Sequence, residues 1–139
     1  MKLFVDTWGW LVLADRKDPS HEETVRCYEA YSKASSRVLT SNFVLDETFT
    51  LLFRRRPFDE ALRFATAVLK SPSIGVEVVT EARFRAAFDL RRKFSDKPRI
   101  SFTDLSSMAI MNELKLTDVL TADGHFSQVG LGFRMLPTK

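Results

Sequence analysis

The stretch Asp104–Ala122, DLSSMAIMNELKLTDVLTA, decides the fold because it joins a predicted helix to a predicted strand through a very short link. Apolar spacing predicts a helix over Asp104–Leu114, and a β-branched run predicts a strand over Asp118–Ala122. Only Lys115–Thr117 connects the two. So short a connection forces the helix to run antiparallel to the strand, which places Asp104 beside the carboxyl end of that strand.

Strand-like and helix-like segments alternate along the rest of the chain. Short β-branched and aromatic runs predict further strands at Lys2–Val5, Arg37–Thr40, Gly75–Val79 and Phe133–Leu136. Helical patterns predict further helices at Trp8–Asp15, His21–Ser35, Asn42–Arg55, Phe58–Lys70 and Glu81–Phe94. This alternation is typical of the α/β class, with a mostly parallel five-stranded sheet flanked by helices on both faces. Since no linker or repeat divides the chain, we predict a single domain over residues 1–139.

The composition fits a small soluble domain without a disulfide or zinc framework. Of the 139 residues, 45% are apolar and 28% are charged, which is close to the globular norm. A lone cysteine, Cys27, excludes an internal disulfide, and with only two histidines a Cys/His structural zinc site is also excluded. The early apolar run Trp8–Ala14 is too short to cross a bilayer. We therefore expect a cytoplasmic protein with no membrane partner.

The charge is mildly basic, with 21 Lys and Arg residues against 18 acids and a net charge of +3. That balance permits a polyanionic partner without requiring one. Basic residues form two runs, the first made of Arg54, Arg55 and Arg56, and the second of Arg91, Arg92 and Lys93 with Lys97 and Arg99 nearby. The first run, Arg54–Arg56, is a candidate for contacts with the phosphates of such a partner. Both runs have an equally ordinary explanation as cations that offset the dipole at a helix end.

Four carboxylates converge on one edge of the predicted sheet. Asp6 directly follows the first strand and Asp123 lies just past the Asp118–Ala122 strand, so both stand at carboxyl ends. Asp104 joins them through the short link described above. Glu47 lies in the second turn of the helix that follows the second strand, although Asp46 is equally placed along the chain. Each acid alone also has a structural explanation as a helix cap, a first-turn residue or a turn residue.

Clustered carboxylates point to a divalent cation. Like charges close together resist ionising together, and a bound cation relieves this repulsion. Oxygen ligands without thiolates favour Mg²⁺ or Mn²⁺ over zinc. Such a centre activates water and stabilises the leaving oxygen of a phosphodiester, so hydrolysis of phosphodiesters is the reaction class that this edge predicts.

Four segments of the chain together resemble the PIN-domain family, and most closely its VapC-type toxin branch. They are FVDTWGWLVLAD (4–15), SNFVLDETFTLLFRR (41–55), ISFTDLSSMAIMNELKL (100–116) and VLTADGHFSQVGLGFRML (119–136). The resemblance runs from Lys2 to about Leu136 in the order of the family. Each piece alone is a weak signal, but the ordered set with its closing TAD-x-H-F block is specific.

The resemblance implies a role for each acid. Asp6, Asp104 and Asp123 correspond to metal ligands of the family, and Glu47, preferred over Asp46, corresponds to its helical acid. Three hydroxyl side chains are expected to position metal-bound waters, namely Thr7, Ser101 and Thr103. The implied protein is a Mg²⁺- or Mn²⁺-dependent endoribonuclease, the toxin of a toxin–antitoxin pair, acting as a homodimer and inhibited by a cognate antitoxin protein. The segment Phe94–Ser101 does not align with the family pattern, and a substrate-facing loop is one interpretation of it.

The sequence also allows two other functions. One alternative is a PIN-fold module that binds RNA or protein without cutting. Another is a phosphatase similar to the haloacid dehalogenases, although these need D-x-D where position 8 is Trp. Trp8 and Trp10 are candidates for stacking on RNA bases or for packing in the core. His125 is expected to have a structural rather than a proton-transfer role.

Overall fold

A computed structural model describes residues 1–33 and 37–138. The strands are β1 (Leu3–Val5), β2 (Val38–Ser41), β3 (Ile74–Glu77), β4 (Asp118–Leu120) and β5 (Arg134–Leu136). The helices are α1 (Thr7–Leu13), α2 (His21–Ser32), α3 (Asn42–Arg55), α4 (Phe58–Lys70), α5 (Glu81–Lys93), α6 (Phe102–Leu114) and α7 (His125–Gln128). The strands form one parallel sheet in the order β3-β2-β1-β4-β5.

The centre of the sheet is buried on both faces. Every residue of β1, β2 and β4 is buried. Because successive side chains of a strand point to opposite faces, helices must cover the sheet on both sides. The predicted α/β fold with a five-stranded parallel sheet is therefore confirmed. The core continues into α6, where Leu105, Met108 and Ile110 are completely buried.

Most predicted elements are present, and their boundaries shift by a few residues. The predicted strand Gly75–Val79 lies at Ile74–Glu77, and the predicted strand Asp118–Ala122 ends at Leu120. The predicted helix His21–Ser35 reaches into Ala34 and Ser35, which lie outside the described residues, and the described helix ends at Ser32. The sequence reading missed α7, since its four residues are too few to show a helical pattern.

Gly9 lets α1 pack closely against the sheet next to Asp6. A Cβ atom at Gly9 would lie 2.8 Å from the Leu120 carbonyl oxygen and 2.9 Å from Val5 Cγ1. The same Leu120 carbonyl accepts a hydrogen bond from the Asp6 N–H, at 3.2 Å. The close approach of helix and strand thus fixes the backbone that carries Asp6.

Gly9→Ala is expected to destabilise the protein by about 1–3 kcal/mol. Alanine favours helix over glycine by about 1 kcal/mol, but the added methyl group must displace backbone atoms of β4. Urea unfolding at fixed pH measures the change. Gly124→Ala is a matched control, because a Cβ there meets only the Gln128 amide nitrogen, at 3.8 Å, and its stability should change by less than about 0.5 kcal/mol. Equal stabilities of the two variants would contradict this account of Gly9.

Candidate active site

The order in which the chain adds strands to the sheet reverses between β1 and β4, and the acids meet at this point. From β1, the chain first builds outward through β2 to β3 and then returns to place β4 on the other side of β1. In open parallel sheets such a switch in strand order leaves a crevice beyond the carboxyl ends of the strands. Asp6 is the first residue after β1, and Asp123 follows β4 by three residues.

A cavity of about 400 Å³ lies at this crevice. It is lined by Asp6, Thr7, Trp8, Glu47, Arg99, Ser101, Asp104, Ala122, Asp123 and His125. The four acids predicted from the sequence are therefore brought together, although they come from both ends and the middle of the chain. Larger cavities occur elsewhere on the surface, but those lined by described residues such as Glu60, Glu23 or Glu81 and Asp89 contain at most two carboxylates, against four here.

Asp6 is held with one carboxylate oxygen paired and the other unpaired. Thr121 Oγ1 donates a hydrogen bond to Asp6 Oδ2, at 2.8 Å. Asp6 Oδ1 is buried and has no hydrogen-bond partner among the described residues. Burial, with smaller contributions from Asp123 and Glu47, raises the pKa of the Asp6 carboxyl to about 6. Asp6 occupies the N-cap position of α1, but its side chain makes no capping hydrogen bond, so capping does not explain this acid.

Asp104 and Asp123 shift each other's pKa. Burial and the hydrogen bond to Asp123 raise the pKa of Asp104, and the charges of Asp6 and Glu47 raise it further. Burial alone would raise the pKa of Asp123 as well, but its hydrogen bonds to Asp104 and to the backbone N–H of His125 hold that pKa below the usual value. In the protein without a cation, Asp104 therefore keeps a proton more readily than Asp123 does.

Glu47, rather than Asp46, faces the cavity. Thr7 Oγ1 donates a hydrogen bond of 2.6 Å to Glu47 Oε1, which ties α3 to the start of α1. Asp46 is exposed and does not line the cavity. The choice that the sequence left open along the chain is thus decided by which side of α3 faces α1.

The three predicted hydroxyl residues have different environments. Thr7 and Ser101 line the cavity, whereas Thr103 does not. Ser101 Oγ accepts a hydrogen bond from the Asp104 N–H, at 3.0 Å, and so caps α6 and fixes the backbone of Asp104. Thr103 lies in the first turn of α6, and its role in positioning metal-bound water stays a prediction.

Thr121 and His125 are site residues whose positions sequence reasoning did not find. Thr121 holds Asp6 Oδ2 and, through Oγ1, also accepts from the Asp123 N–H, at 3.0 Å. His125 Nδ1 lies 3.0 Å from Asp123 Oδ1 and 3.8 Å from Asp104 Oδ2. The TAD-x-H spacing contained both residues, but only the turn after β4 shows that they point back to the acids.

The donor set fits a divalent cation. Ligand atoms of Asp104, Asp123 and His125 lie within 4.8 Å of one another. Asp6 Oδ1 adds a buried oxygen without a partner among the described residues. Such an oxygen is costly to bury unless it pairs or binds a cation, and carboxylate oxygens suit Mg²⁺ and Mn²⁺. The predicted residues therefore meet the requirements of a cation site, with His125 as an additional donor.

The two tryptophans differ in their exposure to the cavity. Trp10 is buried, and its Nε1–H donates to Thr40 Oγ1 at 3.0 Å, so it is a core residue. Trp8 is half-buried and lines the acidic cavity. It also lines a neighbouring cavity of about 220 Å³ that reaches Arg55 and Arg56. Of the two, Trp8 is therefore the one whose ring lies at the site.

In the basic run at the end of α3, one arginine forms ion pairs and two are exposed. Arg56 forms salt bridges with Glu60, at 2.6 Å, and with Asp15, at 3.6 Å. Arg54 and Arg55 are exposed. Arg54 is seven residues after Glu47, which is about 10 Å along the helix axis, so the run lies away from the acids themselves.

Comparison with known proteins agrees with this geometry. Residues 3–131 match the family model of the PIN domain. The chain belongs to the PIN-domain family. The family resemblance inferred from the four quoted segments is thereby confirmed, and the phosphatase alternative loses its basis. A relative from Mycobacterium tuberculosis (strain ATCC 25618 / H37Rv), the 23S rRNA-specific endonuclease VapC20, is 34% identical over 128 residues, covering 92% of this chain and 94% of the relative.

Solved structures of PIN-domain proteins have the same fold. The crystal structure of Mycobacterium tuberculosis VapC20, described as a toxin that cleaves the sarcin-ricin loop, superposes with a TM-score of 0.81 at 32% identity. The alignment covers 93% of this chain and 95% of that one. VapBC2 from Rickettsia felis, bound to a promoter DNA fragment, gives a TM-score of 0.76 at 13% identity and covers 97% of both chains. At that identity the second likeness concerns the fold alone.

None of the helices described here combines the length and apolar character needed to cross a bilayer.

Proposed function

We propose that this PIN-domain protein is a divalent-metal-dependent endoribonuclease. The observation that carries the proposal is the cavity where Asp6, Glu47, Asp104 and Asp123 meet, with one buried Asp6 oxygen unpaired among the described residues. The identity of 34% to a 23S rRNA-specific endonuclease, over almost the full length of both chains, supports RNA as the substrate and makes 23S rRNA the first RNA to test.

The chain's own residues prepare the site for hydrolysis of a phosphodiester. Asp6, Asp104 and Asp123 would hold Mg²⁺ or Mn²⁺, which supplies charge stabilisation and a water of lowered pKa. Thr121 orients Asp6, and Thr7 orients Glu47 towards the cavity. Glu47 either completes the ligand set or orients the attacking water. The water oxygen then bonds to phosphorus, the bond from phosphorus to the leaving ribose oxygen breaks, and that oxygen takes up a proton.

The biological role that fits this activity is that of a toxin with a cognate antitoxin protein. The likeness to VapC20, which is described as a toxin, supports this role. Exposed apolar side chains on α4, at Phe58, Leu62 and Leu69, offer a surface on which a protein partner can bury area. We further propose a homodimer in the cytoplasm, which size measurement of the purified protein and fractionation of cells would test.

The exposed arginines at the end of α3 are proposed as secondary RNA contacts. Trp8 lines both the acidic cavity and the neighbouring cavity that reaches Arg55, so one strand of RNA can follow this path across the surface. Arg54 is exposed beside it, whereas Arg56 is engaged by Glu60 and Asp15. The contribution of Arg56 is therefore expected to be smaller than that of Arg55.

Cleavage of RNA in the presence and absence of divalent cations tests the proposed function. The purified protein is incubated with intact 23S rRNA and with total RNA in Mg²⁺, in Mn²⁺ and in excess EDTA. We expect discrete fragments with either cation and none in EDTA, with activity restored when the cation is added back. Asp104→Asn protein, prepared identically, controls for contaminating ribonucleases. RNA that binds the protein but stays intact under all conditions would instead favour the non-catalytic binding module.

A further inference from the structure

The loop between α5 and α6 brings a cation to the rim of the acidic cavity. Arg99 lines this cavity together with the four acids. It is exposed, and it forms no salt bridge with any described residue. Arg56, Arg83 and Arg134, in contrast, are engaged by carboxylates. The guanidinium of Arg99 is thus available for a ligand.

Arg91 fixes the backbone of the loop that carries Arg99. Its guanidinium donates hydrogen bonds to the carbonyl oxygens of Phe94, Lys97 and Ile100, at 2.7, 2.6 and 2.7 Å. The side chains of Phe94 and Ile100 are buried and anchor the two ends of the loop. Arg99 directly precedes the anchored Ile100, so its backbone is held in place while its side chain remains exposed.

A positively charged side chain at this position would reduce the repulsion between the acidic site and the RNA backbone. The four acids repel the negatively charged backbone of RNA, and a divalent cation held between them would offset only part of their charge. A guanidinium presents two parallel N–H groups, which match the two non-bridging oxygens of a phosphate. An arginine on a fixed loop can make this contact with little ordering cost in the backbone.

We propose that Arg99 binds a phosphate of the RNA strand at the acidic cavity, in an orientation set by the loop that Arg91 holds. The proposal rests on the proposed ribonuclease function and adds a substrate-binding residue to it. It also gives a role to the segment Phe94–Ser101, which the family pattern left unexplained. A competing explanation is that Arg99 only balances the charge of the acids.

The two explanations differ in how the removal of Arg99 changes the affinity for RNA and the affinity for metal cations. If Arg99 binds phosphate, Arg99→Ala raises KM for RNA about 10- to 100-fold, the range expected for one lost charged hydrogen-bond pair. In a non-cleaving Asp104→Asn background, the same change lowers the slope of log Kd against log salt by about 0.7 to 0.9. Arg99→Lys keeps the positive charge but loses the two parallel N–H groups of the guanidinium. It should therefore restore the salt slope but only part of the affinity for RNA. The affinity for Mn²⁺ alone, with Asp104 intact, stays unchanged.

Controls separate this proposal from the proposed function. Arg92→Ala removes a charge from the same basic run, but Arg92 lies over the Phe88 ring on α5 and does not line the cavity, so KM and the salt slope should stay unchanged. Wild-type cleavage combined with unchanged KM and salt slope in Arg99→Ala overturns the role of Arg99 alone. Tighter Mn²⁺ binding in Arg99→Ala with an unchanged salt slope shows charge balancing instead. If the wild type does not cleave RNA at all, both proposals fall.

Discussion

Replacing Asp104 by Asn is expected to lower the rate of metal-dependent RNA cleavage by about a thousandfold, which corresponds to about 4 kcal/mol of lost transition-state stabilisation. The carboxylate lies in the acidic cavity beside Asp123 and is mostly buried. Its amide replacement keeps the shape but removes the charge that a divalent cation requires. Single-turnover cleavage of a defined RNA, with cation in excess, measures the loss directly.

The same substitution should leave the fold intact. Burial and the neighbouring Asp123 raise the pKa of Asp104. In the protein without a cation, this carboxyl group therefore stays protonated at pH values where a free aspartate is ionised, and it resembles a neutral amide. Circular dichroism and thermal unfolding in EDTA should therefore show a stability equal to or above that of the wild type. Asp46→Asn is the matched control, since Asp46 is exposed, adjacent to Glu47 and outside the cavity, and it should cleave at the wild-type rate within about twofold. A fully active Asp104→Asn protein would end the assignment of Asp104.

The second large effect concerns stability without a cation, which should fall as the pH rises through about 6. An aspartate in an unfolded chain has a pKa near 3.9, whereas burial raises that of Asp6 to about 6 in the folded protein. The folded state therefore binds the proton more tightly, and its contribution is complete below about pH 4 and is lost as the pH rises through 6. The difference corresponds to about 3 kcal/mol at most from Asp6.

Urea unfolding of wild type and of Asp6→Asn between pH 4 and 8, in EDTA, measures this contribution. Carboxylates face Asp6 from α3, α6 and the turn after β4, at Glu47, Asp104 and Asp123, while Arg99 and His125 are the basic residues that line the same cavity. Asp118, whose pKa is lowered by its hydrogen bonds to Arg134 and Tyr31, changes stability in the opposite direction at low pH. Because it does so in both proteins, it cancels in the difference.

Adding Mg²⁺ or Mn²⁺ should restore, at neutral pH, the folding stability that is lost in the absence of a cation. A cation at 100 times its dissociation constant stabilises the folded state by about 2.7 kcal/mol. Its binding displaces protons from the acids, so the stabilisation should grow from pH 5 to pH 8 and should be absent in Asp104→Asn. A wild-type stability that is flat with pH in EDTA, or indifferent to cations at pH 8, would contradict the account of these buried acids.

Much of this site was predictable because its acids follow strand ends and short links. Asp6 comes directly after β1 and Asp123 comes three residues after β4, and the three-residue link before β4 placed Asp104 at the same edge. Whether Glu47 or Asp46 completes the set depends on which side of α3 meets Thr7, a contact between residues 40 positions apart that local patterns do not contain. The family resemblance supplied that choice, and the structure gives its physical reason.

The residues that sequence reasoning missed act through turns and long-range contacts. Thr121 and His125 point back to the acids only because the chain turns sharply after β4. Arg91 looked like one cation in a basic run, yet its guanidinium holds three carbonyl groups of a loop. Thr103 was predicted from its proximity to Asp104 in sequence, and it lies in α6 outside the residues that line the cavity.

The order of the strands also bears on the synthesis of the protein. The central strand β1 is made before its neighbour β4, and the hydroxyl group that orients Asp6 comes 115 residues after that carboxylate. Pairing between segments so distant in sequence is slow. A nascent chain that stops before Asp118 has one side of β1 unpaired and lacks Thr121, Asp123 and His125. For a nuclease proposed to cut RNA, this order means that the chain gains activity only after β4 and the turn that follows it have been made.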